Sequence, residues 1–152
     1  MSVNRTPRIQ LVSFQECAQQ IKAVRQSVFV DELGIDPELE WDDQDDSAQY
    51  AIAIVDTQVI AVGRLSKQGK IGRMAVLPDW RKRGIGSQLL QCLIQAAIKA
   101  AYLQLHLSSQ LDAVAFYRKL GFQAEGPQFM AAGIPHQAMS YPMPSHSTVL
   151  IH

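Results

Sequence analysis

The stretch from Lys70 to Ala101 most narrows what this chain can fold into. KIGRMAV reads as a strand that Pro78 ends, because proline has no N–H for a ladder and fixes its own φ. Three cations, Arg81, Lys82 and Arg83, come next, followed by Gly84 and Gly86. An apolar run then returns Ile85, Leu89, Cys92, Leu93, Ala96 and Ala100 to one face at helical spacing. A strand feeding a helix through a short basic turn requires a sheet with a helix laid on it. The predicted helix, 84–101, opens with unpaired backbone N–H groups and partial positive charge. Gly84 and Gly86 carry no Cβ, so an anion can approach the backbone there, and the three cations reinforce the field. A pyrophosphate is a natural occupant. A solvated basic turn is the alternative for a lone Gly-x-Gly.

The rest of the chain supplies the layers. RIQLV (8–12) reads as a first strand, and Cys17, Ile21, Val24 and Val28 recur at helical spacing over 14–30. DELGIDPELEWDDQDD breaks regular structure at Gly34 and Pro37. YAIAIV and VIAVGRLS flank Asp56-Thr57-Gln58 as a hairpin. After the main helix, YLQLHLS reads as a strand of alternating character. Asp112 can cap a second helix that carries Ala113, Phe116, Tyr117 and Leu120 on one face, with Phe116 in the core, and Gly121 ends it. FQAE and QAMSYPM are closing antiparallel strands. The order predicts an α/β protein with a mixed sheet, organised as one domain over 1–144 with a loose tail at 145–152.

Charge excludes several partners. Fourteen basic residues balance fourteen acidic ones, so neither nucleic acid nor an anionic membrane is an expected partner. The charges are unevenly placed, however: nine acids lie between Asp31 and Asp46 without a cation, and seven cations lie between Arg64 and Arg83 against the single acid Asp79. That polarity suggests two different binding surfaces, with solvated faces the alternative. Cys17 and Cys92 form neither a disulfide framework nor a metal site, and a reducing cytoplasm fits them. MSVNRTPRIQ has no apolar h-region, and no run approaches the length of a membrane span. No metal is expected.

Known phosphate motifs fit poorly. A dinucleotide fingerprint needs a third glycine where Leu89 stands, and an acid near His106, Ser108 and Ser109. A P-loop needs four residues between its glycines, whereas Gly63 and Gly69 enclose five, and Ile71 follows Lys70 in place of Ser or Thr. No register of the acidic segment supplies a calcium loop.

The stretch GRMAVLPDWRKRGIGSQLL resembles the acyl-CoA-binding motif of the GNAT N-acetyltransferase superfamily, through Val76, Pro78, Arg81, Gly84 and Gly86. AVAFYRKLGF (113–122) is similar to a second signature of that family, including its aromatic pair and terminal Gly-Phe. VFVDELG…ELEWDD and AGIPHQAM resemble a small bacterial subgroup. The resemblance implies a mostly antiparallel sheet, splayed in the middle and flanked by helices, and transfer of an acetyl group from acetyl-CoA to a small-molecule or peptide amine. A non-catalytic acyl-CoA sensor of the same fold is the alternative. A homodimer is an expectation by analogy alone.

The same resemblance implies roles. Backbone groups of Arg81, Lys82, Arg83, Gly84, Ile85, Gly86 and Ser87 would wrap the pyrophosphate. The edge formed by Met74, Ala75 and Val76 would pair with the pantetheine arm as an added strand, and an N–H of Met74 or Val76 would donate to the thioester oxygen. Tyr117 would protonate the departing sulfur and touch the CoA; packing beside Phe116 is the plainer reading of that ring. For the base, Glu32, Glu40, Asp42, His106 and His136 are candidates, with His136 in the loop GIPHQ and Glu40 preferred. Glu32, Trp41, Asp42 and His106 could contact the acceptor, carboxylates drawing a cationic amine to the Trp41 wall. An extended segment would put Glu38, Glu40 and Asp42 on one side; a solvated loop is the alternative.

Overall fold

The computed structural model describes residues 6–144; the tail expected at 145–152 lies outside the described residues. Two antiparallel sheets form the frame. The first has the order β1-β2-β3-β4, from Arg8–Ser13, Gln49–Val55, Gln58–Leu65 and Ile71–Val76. The second has the order β5-β7-β6, from His106–Gln110, Ile134–Ser140 and Gln123–Ala131. The expected mixture reduces to one parallel bridge, Lys70 to His106, where the two sheets touch. Beyond it β4 and β5 make no further ladder pairs, and the frame splays there.

Helices cover the first sheet from both sides. The main helix α3 (Ile85–Lys99) buries Leu89, Leu90 and Leu93 completely, against Ala51, Ala53, Ile60 and Leu65 of β2 and β3. Each such leucine contributes about 1.5–3 kcal/mol of apolar transfer. The N-terminal helix α1 (Ala18–Arg25) lies on the other face, where Ile21 and Val24 meet Ile52, Val59 and Val62. The short helix α4 (Val114–Lys119) shares the α3 cluster through Val114 and Tyr117, and Phe122 joins it just beyond the helix.

Several expectations require local correction. The helix read over 14–30 divides into a 3-10 turn at Gln15–Cys17, α1, and a widened π-helical run at Gln26–Glu32. Within the acidic segment, Pro37–Glu40 coils into one helical turn, α2, because Asp36 accepts the Glu38 N–H at 2.9 Å and Pro37 suits a first helical position. Glu38, Glu40 and Asp42 therefore do not alternate along an extended chain. Asp112 caps nothing; it sits inside a 3-10 turn, Leu111–Ala113, that leads into α4. Phe116, expected in the core, is 36% exposed. His136 lies in β7 rather than in a loop, and the strand expected from Tyr102 begins only at His106.

Candidate active site

The free edge of β4 lies beside the start of α3. On its other side β4 pairs with β3, and the Leu77 N–H donates to Ile60 C=O at 3.0 Å. Antiparallel pairs alternate between bonded and unbonded. Val76 and Met74 therefore turn their main-chain groups away from β3, toward the gap that opens before β5. Unpaired strand groups at such an edge are ready to pair with an extended ligand.

A bulge shapes this edge. The register passes from Val62 opposite Ala75 to Arg64 opposite Gly72, so Arg73 and Met74 together face Gly63. Arg73 takes φ +50°, a left-handed conformation that costs a non-glycine residue roughly 1–2 kcal/mol. Gly63 makes room opposite: a Cβ there would run into the Met74 sulfur and press on Leu93.

The turn after β4 fits an anion. Pro78–Trp80 makes a 3-10 turn, Lys82 has φ +62°, and Gly84 has φ +78° as the residue preceding α3. The Gln88 N–H returns to Gly84 C=O, so the N–H groups of Ile85, Gly86 and Ser87 precede the first helical hydrogen bond. Among the described residues, chain neighbours aside, nothing lies within 4 Å of where a Gly84 Cβ would stand, and the Phe116 ring edge approaches that of Gly86 at 3.9 Å. Arg83 stacks on Trp80 at 4.8 Å. Arg81 differs from its fellow cations: its guanidinium grips Glu32 with two hydrogen bonds and donates Nε–H to Val76 C=O at 2.8 Å.

Tyr117 occupies α4 between Phe116 and Phe122, at ring-centroid distances of 5.1 and 6.0 Å. Burial pushes its hydroxyl above the ordinary tyrosine value. The group thus keeps its proton well past neutrality.

The acidic segment is neutralised from within. Arg25, fully buried, donates Nε–H to Glu40 Oε2 at 2.7 Å and Nη1–H to Asp45 and Tyr50, while Trp41 stacks on its guanidinium at 4.6 Å. Arg64 bridges Asp42 and Asp45 at 2.8 Å each. Arg73 reaches the Glu40 C=O at 3.1 Å and Asp42 at 3.2 Å. Desolvation opposes the charged form of Asp45, but hydrogen bonds from Tyr50, Arg25 and Arg64 outweigh it and hold the carboxyl below its usual range. Desolvation likewise opposes Asp42, and the Arg64 hydrogen bond prevails.

Comparison with known proteins identifies this arrangement. The acetyltransferase (GNAT) domain profile matches residues 16–143. The chain belongs to the GNAT acetyltransferase family. The uncharacterized N-acetyltransferase YjcF of Bacillus subtilis is 31% identical over 120 residues, covering 76% of this chain and 86% of that one. The crystal structure of an acyl-CoA N-acyltransferase from Pseudomonas aeruginosa superposes with a TM-score of 0.79 at 25% identity, covering 90% of this chain and all of that one. Escherichia coli ElaA shares the fold alone, with a TM-score of 0.80 at 21% identity over 90% of this chain and all of ElaA.

The GNAT fold binds acyl-CoA, and the local groups suit it: an outward-facing strand edge for amides and a left-handed glycine turn at a helix start for phosphates. Met74, Ala75 and Val76 form that edge, and residues 81–87 that turn. Of the residues expected around the acceptor, Glu32 is paired with Arg81, Trp41 with Arg25, and Asp42 with Arg64 and Arg73. Glu40 is 3% exposed and bound to Arg25. His106 stands at the junction of the sheets, its main-chain N–H on Gly69 C=O. His136 stacks on Phe129, with Nδ1 2.7 Å from Ile134 C=O. Sequence reasoning missed the partners Arg25, Arg64, Arg73 and Tyr50. An arginine inside the apolar stripe of α1 was the available signal.

Among the described residues, no helix is long and apolar enough to cross a membrane.

Proposed function

We propose that this chain transfers an acetyl group from acetyl-CoA directly to a primary amine of a small molecule or peptide, in the cytoplasm. The observation that carries the reading is the edge of β4 that no strand covers, open between the two sheets and leading to the left-handed turn of Gly84, with the Val76 carbonyl taken by Arg81 Nε–H. The co-substrate contributes a thioester activated toward amines. The outward N–H of Met74 or Val76 donates to the carbonyl oxygen as negative charge builds, a contribution of roughly 3–4 kcal/mol to the barrier. Backbone N–H groups of residues 82–87 hold the diphosphate, with Lys82 and Arg83 adding charge, while the Arg81 N–H is bonded to the Pro78 carbonyl. The Arg81 side chain serves the protein instead, since Glu32 and Val76 engage it.

Tyr117 delivers a proton to the departing thiolate, its raised value keeping the donor charged with its proton at neutral pH. His136 accepts the amine proton, directly or through water. Its Nδ1 faces a carbonyl, which requires a proton on that nitrogen and leaves Nε2 with the lone pair. Glu40, 3% exposed and bonded to Arg25, supports the site rather than meeting the amine in this reading.

A melting scan with acetyl-CoA tests binding. At a hundred times its dissociation constant, the ligand adds about 2.7 kcal/mol, which raises the midpoint by roughly 2–8 °C for a domain of this size. An unmoved midpoint at millimolar acetyl-CoA would exclude the reading. A thiol-release assay over amino acids, polyamines, aminoglycosides and peptides then tests transfer. Stabilisation without thiol release from any acceptor would instead fit an acyl-CoA sensor.

A further inference from the structure

We propose that Arg73 is a positioning residue: the acidic segment holds its guanidinium, and through it the left-handed bulge that aims the Met74 N–H into the crevice. This rests on the acetyltransfer reading above. The bulge is strained at Arg73 and nowhere else in β4, since the other positive-φ residues lie outside that strand. A strained backbone persists only where its surroundings over-determine it, and the surroundings of Arg73 are specific. Its Nε–H and Nη2–H both point to the Glu40 C=O, at 3.3 and 3.1 Å, and Nη2–H also reaches Asp42 Oδ2.

The holding groups are themselves fixed. Asp42 accepts two hydrogen bonds from Arg64 and one from the Gln44 N–H. The Glu40 carbonyl also accepts Arg25 Nη2–H at 2.7 Å, and Arg25 has no exposure at all. A continuous set of charge-assisted hydrogen bonds therefore links α1, through α2 and β3, to a single main-chain twist on the open edge of β4. Such bonds are short and directional, and a buried network of them is rigid. On the other side of the sheet, the Met74 side chain occupies the space that Gly63 vacates. Met74, the second residue of the bulge, is thus held from both faces, and its N–H is fixed in the direction of the gap.

Infrared difference spectra of acetyl-CoA carrying 13C at the carbonyl test this without needing the acceptor amine. Bound to the wild-type chain, the carbonyl band lies below that of free acetyl-CoA, because a donated hydrogen bond weakens the C=O stretch. Arg73→Ala keeps the strain and loses the clamp, so the band returns most of the way to the free position. Arg73→Gly removes the strain along with the clamp and retains more of the shift than Arg73→Ala does. Asp42→Asn, which leaves Arg73 in place, loses part of it. Dissociation constants for desacetyl CoA, which has no carbonyl to receive the N–H, stay within about twofold in all three variants, and this also verifies that they fold. A shifted wild-type band that Arg73→Ala does not move overturns the inference alone. Equal loss in Arg73→Ala and Arg73→Gly also overturns it, since the guanidinium would then act by charge. A wild-type chain that binds acetyl-CoA without any band shift, or does not bind it, overturns the acetyltransfer reading and this inference together.

Discussion

Arg81 holds both carboxylate oxygens of Glu32, at 2.8 and 2.7 Å, across forty-nine positions of sequence. The pair joins the end of the π-helical run to the turn before α3, and the remaining Nε–H rests on the edge carbonyl of Val76. Two charges that looked like opposite binding surfaces in the sequence are each other's partners. Under the proposed function the diphosphate is left to the backbone of that turn and to Lys82 and Arg83.

The Arg81 hydrogen bond holds the Glu32 carboxyl below its usual value. A depressed folded value means that the pair's contribution is present above the ordinary carboxylate range and disappears as pH falls through the folded value. A carboxyl-detected NMR titration should give Glu32 a lower pKa in the wild type than in Arg81→Ala. Because both side chains are largely exposed, Glu32→Gln should leave the thermal midpoint within experimental error.

Tyr117→Phe should lower kcat by about a hundredfold, the scale of a lost general acid. Acetyl-CoA affinity and the melting midpoint should barely change, since the Tyr117 hydroxyl has no hydrogen-bond partner among the described residues. With the protonated phenol as the proposed acid, burial raises its pKa, so the alkaline fall in kcat should begin above about pH 10. Weakened binding at an unchanged rate would remove Tyr117 from the acid role.

Asp45→Asn should cost about 3–5 kcal/mol in urea unfolding at pH 7, because Arg25 and Arg64 remain buried with one carboxylate fewer. Asp42 and Asp45 both have folded values below 3.8, so the stability they add is complete above that pH and is lost as pH falls through the lower folded values. Repeating the urea series between pH 2 and 5 (about the span of carboxyl titration) should show a shallower acid limb for Asp45→Asn than for the wild type.

Gly63→Ala should destabilise by roughly 1–3 kcal/mol, the usual cost of overpacking. The added methyl meets the Met74 sulfur and presses on a Leu93 methyl. Restoring room with Met74→Ala in the same chain should recover part of the loss. Equal stability of Gly63→Ala and the wild type would show that Met74 lies elsewhere.

What could be read from the sequence was whatever depends on near neighbours in the chain. The strand ending at Pro78, the left-handed Gly84 and the apolar stripe of α3 follow from local stereochemistry and a 3.6-residue period, and they carried the GNAT resemblance with them. The hairpin through Asp56 and Thr57 and the stop at Gly121 belong to the same class, as does Tyr117 in its signature. The acidic segment was different. Its carboxylates lie within sixteen residues of one another, but their meaning depends on Arg25, Arg64 and Arg73, which arrive from three other elements. Charge attraction falls with distance in space, not along the chain, and only the packed sheets decided which cation each carboxylate would meet. The same packing put Phe116 at the surface, drew His136 into a strand and buried the Glu40 carboxylate against Arg25.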